Sequence, residues 1–396
     1  MNYIVENLKT PVTKEMDVVV AGGGIAGVAA ALSAARSGAK TILIEKEFML
    51  GGLATAGLIA IYLPICDGEG RQVSFGIAEE LIRLSIKHGH IEGRYNKAWF
   101  EGGTLEEKIK GRRFEVQYNP CIYAILLEEL LLKEGVEILY GTSVCEVKCE
   151  NNKITSVIVE NKSGRSAINV KSVVDATGDA DICHLSGAKC ATYSEKNILA
   201  AWYYYIKEGK KELNMLGLAD DPEDRVERIS DLTFTGIDGE EISKMMCLSH
   251  KTLLNNYLEK KKHDDSLDLT KISVIPQLRM TRRMVGEYEI EKSEVHKKFD
   301  DSIGMFSSWR KKGPVYEVPF GCLYSKDIKN LLTAGRCISV KDDLWDLTRV
   351  IPVCAVTGEA AGTAAAMSDD MTTLDVKLLQ KKLVENGVVL HEDDLK

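Results

Sequence analysis

One short segment near the amino terminus limits what this chain can fold into more than any other. Asp17 to Val20 (DVVV) with Ala21 is an unbroken apolar run of the kind a doubly covered parallel strand needs, and Gly22-Gly23-Gly24-Ile25-Ala26-Gly27 follows at once. The next run, VAAALSAARSG, places Ile25, Val28, Ala29 and Leu32 on one helical face and stops at Gly38. Lys40 to Ile44 (KTILI) then reads as a second strand ending in Glu45. This is G-x-G-x-x-G in strand–turn–helix context, which predicts a dinucleotide-binding βαβ unit. Gly22 permits the tight turn, Gly24 lets the backbone approach a pyrophosphate, and Gly27 allows helix and strand to pack closely. Ile25 and Ala26 open the helix, whose free N–H groups and positive dipole end face the phosphates. Glu45 is placed to accept hydrogen bonds from ribose hydroxyls and to repel a 2′-phosphate.

Composition bounds the rest. A chain of 396 residues corresponds to two or three units at about 150 residues each. With 45% hydrophobic and 28% charged residues it is neither wholly disordered nor a rod or collagen-like repeat. Fifty-one Lys and Arg against 59 Asp and Glu leave a net charge of −8, which argues against nucleic acid as the partner. No apolar stretch is long enough for a membrane span, and Met1 to Met16 lacks the basic-then-apolar order of a signal peptide, so the expected location is cytoplasmic. The ten cysteines contain no C-x-x-C pair, so neither a metal site nor a dithiol pair is expected.

A second glycine loop decides which dinucleotide. Lys46 leads through EFML into Gly51-Gly52-Leu53-Ala54-Thr55, small residues that a plain NAD domain does not require. Asp17 to Gly57 resembles the amino-terminal FAD motif of the FAD-dependent oxidoreductases with the glutathione-reductase-type fold. Two more segments share the resemblance. Asn119-Pro120 starts a helix, Val136 to Tyr140 follows as a strand, and a meander of Ser143–Val147, Ile154–Val159 and Ala167–Val174 ends in Asp175-Ala176-Thr177-Gly178-Asp179. Asn330 to Ser339 (NLLTAGRCIS) runs on to Arg349, Pro352 and a helix in which Gly358, Ala361, Gly362 and Ala365 form a nearly bare face. In the family this third motif lies at the flavin. The resemblance covers roughly three quarters of the chain and implies FAD contacts at the first-motif residues, Val144, Ala176, Thr177, Gly178, Gly335, Arg336, Arg349, Pro352 and Gly358.

The expected fold is α/β, a Rossmann-like parallel sheet with an antiparallel β-meander crossover plus an inserted α+β substrate domain. Residues 1–57, 112–191 and 328–396 would form the FAD domain, and 58–111 and 192–327 the substrate domain. Three charged runs in the latter, KEGKKELNM, EDRVERIS and NNYLEKKKHDDS, read as helical. No second dinucleotide fingerprint and no C-x4-C pair follow the first motif. The expected reaction is therefore direct hydride exchange between flavin N5 and a small organic substrate, with an external electron donor or acceptor. An electron-transfer or scaffold subunit acting with a partner protein stays open as the alternative.

Arg282, Arg349 and Asp342 are the catalytic candidates. Arg279 and Arg283 are further possible anion clamps, and Asp342 stands where many relatives carry a histidine. Tyr316 and Trp345 are candidate pocket walls, and His184 and His250 candidate acids or bases. Replacing Gly24 with Val should abolish flavin retention; a variant that purifies fully loaded would show that the fingerprint has been misassigned.

Overall fold

Alternation along the first strand sets the layering. Val18 and Val20 turn into one buried cluster, Val19 and Ala21 into another, and all four are at most 1% exposed. The computed structural model describes residues 3–89, 94–218 and 227–395. Strand β1 (Val12–Ala21) leads into helix α1 (Ile25–Arg36) and strand β2 (Thr41–Ile44), followed by helices α2 (Ile77–Ile86) and α3 (Pro120–Lys133). The chain returns through β3 (Glu137–Leu139), β4 (Ser143–Glu150), β5 (Lys153–Asn161) and β6 (Gly164–Asp175). Beyond these lie β7 (Tyr203–Lys207), β8 (Lys210–Asn214), helix α4 (Gly239–Lys261), β9 (Asp268–Ile272), β10 (Leu331–Thr333) and helix α5 (Ile351–Met367).

The main sheet has seven strands in the order β3-β2-β1-β6-β5-β4, with β10 also on β6. The pairings of β1 with β2 and β6, of β2 with β3 and of β6 with β10 are parallel; β4, β5 and β6 form the antiparallel meander. β6 serves both parts: Ser166 pairs with Val159 of the meander, and Val174 pairs with both Val20 and Leu332. Helices α1, α2, α3 and α5 cover one face of the sheet, and meander residues including Val147, Val157 and Ile168 cover the other. This is the expected Rossmann-like arrangement with a meander crossover.

Helices α1 and α5 lie backbone against backbone. A Cβ at Gly358 would be driven into the Ala26 carbonyl, and one at Gly362 into the Ala30 carbonyl. Glycine inside a helix costs about 1 kcal/mol relative to alanine, and this approach is what two of them make possible. Gly358, expected beside the cofactor, is therefore occupied by helix packing two turns into α5, where Ala26 and Ala29 fill the space next to it.

The segments outside the sheet divide. Tyr62, Ile65, Ile77, Leu81 and Trp99 enter the same core as α1 and α5, so the 58–111 segment extends the main core. The outer layer is the antiparallel sheet β8-β7-β9 with α4, closed by Tyr203, Tyr205, Leu253 and Leu267. KEGKKELNM is not helical: it turns at Glu208 (φ 49°) and Gly209 (φ 75°) and supplies β8. Two positive φ angles in a two-residue loop suit the twist of a hairpin, and this local chemistry outweighs the helix-forming lysines. Of EDRVERIS, residues 223–226 lie outside the described residues and 227–230 are not helical; NNYLEKK ends α4.

Glu359 of α5 is 2% exposed, and its Oε2 accepts the Ile77 N–H at 2.8 Å. It thereby caps α2, whose N-cap is Gly76 and has no side chain for the task. Burial pushes this carboxyl up to about 8; Glu80 adds to the rise, while the Ile77 N–H and Arg36 oppose it. A folded value above the unfolded one means that the contribution is full below about pH 4.5 and is lost as pH rises through about 8. Glu359→Gln keeps an acceptor for Ile77 and should raise the melting temperature at pH 9 by several degrees, with little change at pH 4.5. An identical shift at both pH values would refute buried ionisation. Gly362→Val should cost about 3 kcal/mol or more in denaturant unfolding, because backbone cannot yield as a side chain does.

Candidate functional site

Two of the longer helices, of 12 and 17 residues, begin without a cap. At Gly24, the N-cap of α1, no side chain bonds the first turn and no acid lies in it; the same holds at Val350, the N-cap of α5, with Pro352 in the first turn. By contrast, Asn119 caps α3 and Asp238 caps α4. Gly335 binds the two open ends to one place: a Cβ there would lie 2.7 Å from the Ala26 Cβ and 3.2 Å from the Cys354 sulfur. Two positive dipole ends thus lie on the same side of the sheet near Gly335, α5 starting about two turns ahead of its contact with the first turn of α1.

The fingerprint glycines have three different surroundings. A Cβ at Gly22 (φ 100°) would meet the Ala176 carbonyl, and one at Gly27 the Gly22 carbonyl. A Cβ at Gly24 would meet nothing within 4 Å. That open space at a bare helix start is what a pyrophosphate requires. The second loop is docked against it: Gly51 N–H donates to Gly23 O at 2.8 Å, and the Cβ position of Gly52 lies 3.2 Å from the Gly24 Cα. Leu53 and Ala54 continue as a 3-10 turn, closed by the Thr55 hydroxyl on Leu50 O, and the Tyr118 hydroxyl holds Ala54 O at 3.0 Å. Ala176 N–H donates to Ala21 O at 2.9 Å, Thr177 bonds Asp175 through both its amide and its hydroxyl, and Gly178 lies against the Arg336 guanidinium.

Glu45 ends β2 and is 7% exposed. Its Oε2 accepts the Gly23 N–H at 2.6 Å and its Oε1 the Glu47 N–H at 2.8 Å; burial raises its pKa, and both N–H groups work against that rise. Each oxygen keeps a lone pair for a ribose hydroxyl. Lys46 beside it is exposed, and Val144 lies partly buried at the start of β4, which Thr142 N–H ties to Glu45 O at 3.1 Å. The open position at Gly24, the two uncapped helices and the acid at the end of β2 fit FAD. The first-motif residues, Ala176–Gly178 and the start of α5 would hold it.

A cationic wall adjoins the cradle. Arg336 donates to Leu278 O at 2.6 Å and to Asp179 at 3.2 Å. Arg279 is 3% exposed; it donates to Gln277 O at 2.9 Å, and its guanidinium lies 5.8 Å from the Trp202 ring centroid. Burial, with Arg336 adding repulsion, pulls Arg279 down to about 9, and burial pulls Arg349 down to about 10. Cys354, one turn into α5, is pushed up to about 11 by burial, against the pull of Arg336 and Arg349.

Two amides fix this wall. Asn197 Oδ1 accepts the N–H groups of Arg279 (2.8 Å) and Met280 (3.2 Å), while its Nδ2 donates to Met280 O at 2.6 Å. Gln277 donates to Gly57 O at 2.7 Å and accepts Trp202 N–H at 3.2 Å. Neither amide was singled out from sequence. Gln277 lies in PQLRMTRRMVGEYEI, a run that also resembles the family, but the role of each amide exists only through residues far along the chain.

Two catalytic candidates are engaged elsewhere. Arg282, on a short strand paired with residues 190–192, bonds Asp179 O at 2.9 Å and Asp181 at 2.7 Å. Burial, with Asp179 and Asp175 close by, pushes Asp181 up to about 6 against the pull of Arg282. Asp342 accepts the Ser194 amide at 3.2 Å and hydroxyl at 2.8 Å, and meets Arg283 at 3.7 Å. Both therefore act as ties between segments. Trp345 is fully buried and donates to Arg336 O at 2.9 Å, so it backs the wall. Tyr316 stacks on Phe306 in the core, and His184 and His250 are exposed on helices Asp181–Leu185 and α4.

The model of the family described as FAD dependent oxidoreductase matches residues 17–203 and 194–383. A thiamine thiazole synthase of Metallosphaera sedula is 26% identical over 184 residues, 44% of this chain and 58% of that protein. A thioredoxin reductase of Ureaplasma parvum is 36% identical over 70 residues, 18% of this chain and 23% of that one. The chain thus spans less than two thirds of the length of these curated relatives. A solved geranylgeranyl bacteriochlorophyll reductase-like protein of Thermoplasma acidophilum superimposes with a TM-score of 0.45 at 14% identity, covering 94% of this chain and 83% of that one. With the family match running almost from end to end over a cradle that fits its cofactor, the chain belongs to the FAD-dependent oxidoreductases.

Proposed function

We propose that the protein exchanges a hydride with a small anionic organic substrate, a carboxylate being the simplest match. The observation that carries this reading is the cationic wall. In a chain of net charge −8, Arg279, Arg336 and Arg349 come together from three segments beside the cradle. FAD supplies hydride exchange at its N5 atom, and an external donor or acceptor balances the electron pair in a separate half-reaction.

The chain's own residues bind and orient. Arg279 offers a planar fork that matches a carboxylate, and the Asn197 and Gln277 bonds keep its backbone from shifting. Trp202, 5% exposed, and Trp345, fully buried, exclude water beside Arg279 and Arg336 and so strengthen their attraction for an anion. Arg349 and the open start of α5 stabilise negative charge on the other side.

The test is anaerobic mixing of the FAD-loaded protein with a panel of small carboxylates and their neutral amides, followed by flavin absorbance in both redox directions. Carboxylates should react and amides should not. Arg279→Met should weaken the reacting anion roughly a hundredfold with FAD content unchanged, and Arg279→Lys should recover part of the loss. Equal response to amides, or electron exchange only with an added protein, would overturn the reading; the latter would favour an electron-transfer subunit.

A further inference from the structure

A cleft lies between the main core and the outer layer, and its charges do not balance. The core side is lined from the short antiparallel pair Ile61–Tyr62 and Val116–Gln117, the outer side from β8 and Met215. Its volume is about 380 Å³, enough for a small organic ligand. Arg94, Arg112 and Lys211 reach it from three segments of the chain. Gln117 N–H donates to Arg94 O at 3.3 Å and the Asn96 side-chain amide to Arg112 O at 3.3 Å, so both arginine backbones are tied in place. Register places the lysine. Leu213 pairs with Tyr204, so Lys211, two residues earlier, leaves β8 on the Tyr204 face, and its ammonium lies 4.6 Å from that ring centroid.

Two acidic residues border the cleft, and one of them is turned away. Alternation sends the Glu212 side chain to the opposite face of β8, where its Oε2 accepts the Tyr205 hydroxyl at 2.7 Å. Glu115 stays and meets Arg112 at 3.4 Å. Among the described residues, Arg112 is the one cation of the three with an ion-pair partner. One carboxylate facing three cations leaves two positive charges uncovered, in a chain whose net charge is −8. The rest of the lining includes Ile61, Val116, Leu213 and Met215, the last 49% exposed, so an apolar surface adjoins the cations. No residue of the first motif and none of the wall arginines lines this cleft, which sets it apart from the cradle.

We propose that this cleft binds a small organic dianion, a phosphate monoester or a malonate-type dicarboxylate, its charged end among Arg94, Arg112 and Lys211 and its apolar body over Leu213 and Met215. Guanidinium planes match the paired oxygens of either headgroup, and the ammonium adds a point charge. A dianion cancels the excess charge, a monoanion leaves half of it, and a neutral molecule gains nothing from it. The cations are exposed, so each contact is modest and salt weakens it. The proposal does not rest on the hydride reading above.

The test is calorimetric titration of the full-length, FAD-loaded protein with n-hexyl phosphate, n-butylmalonate, hexanoate, hexanol and inorganic phosphate. Constant ionic strength and a pH of about 8 keep the phosphates dianionic. At least one organic dianion should bind about fivefold or more tightly than hexanoate and inorganic phosphate, and hexanol should give no binding. The tighter of the two dianions identifies the headgroup. Lys211→Met and Arg94→Met change exposed side chains, so the fold is kept, and each should weaken that dianion about fivefold. Lys211→Arg should retain its affinity, and Glu115→Gln, which removes the facing negative charge, should increase it. No binding of either dianion, equal affinity for hexanoate or for inorganic phosphate, or affinity unchanged in both Lys211→Met and Arg94→Met would overturn the proposal.

Discussion

The contact between α1 and α5 is the constraint on which the rest of the structure depends. Gly358 and Gly362 rest on the carbonyls of Ala26 and Ala30 in matching order, so the two helices run side by side in the same direction. Their uncapped starts consequently fall at one edge of the sheet, next to Gly335. Had either glycine carried a side chain, the helices would separate toward the usual 8–10 Å spacing and the two positive ends would part. The cofactor cradle is thus a result of how closely two backbones pack some distance from it.

Charge is arranged around that edge with both signs in use. Asp175 is wholly buried at the end of β6 and accepts N–H groups from Thr177 and Cys183, which fixes the 176–179 turn. Asp179 then takes Arg336, and Asp181 takes Arg282. The acids that shape the turn thereby hold two arginines, and Arg279 and Arg349 lie in surroundings where burial lowers their hold on the proton. Three guanidiniums thus gather beside the cradle within a chain of net charge −8.

Where local chemistry decides a structure, the residues disclosed it. Gly22 and Asn151-Asn152 announced their turns because each adopts a positive φ that few other residues take, Gly27 because the Gly22 carbonyl leaves no room for a Cβ, and Asn119-Pro120 the start of α3 because the asparagine caps it. Where the answer depends on a distant partner, sequence was silent or misleading. Gly358 resembles a cofactor contact until Ala26 is seen against it. Asp342 and Arg282 had the right chemistry for a site, yet Ser194 and Asp181 claim them. The lysines of β8 suggested a helix, and only the Glu208-Gly209 turn and the strand beside it say otherwise. Asn197 and Gln277 brace the wall only through partners far along the chain, which neighbouring residues do not reveal.

β6 has a consequence for synthesis. This one strand joins β1 from the start of the chain, the meander, and β10 from near its end. The helix that covers α1 follows later still, at Ile351–Met367. A ribosome therefore releases most of the polypeptide before the sheet edge beside Val173–Asp175 is paired or the alanine face of α1 is covered. An open parallel edge and an uncovered apolar helix both invite association with other chains. Final assembly must wait for contacts between the two ends of the sequence, which makes folding slow and leaves a chain interrupted before α5 with an aggregation-prone face in place of a partial enzyme.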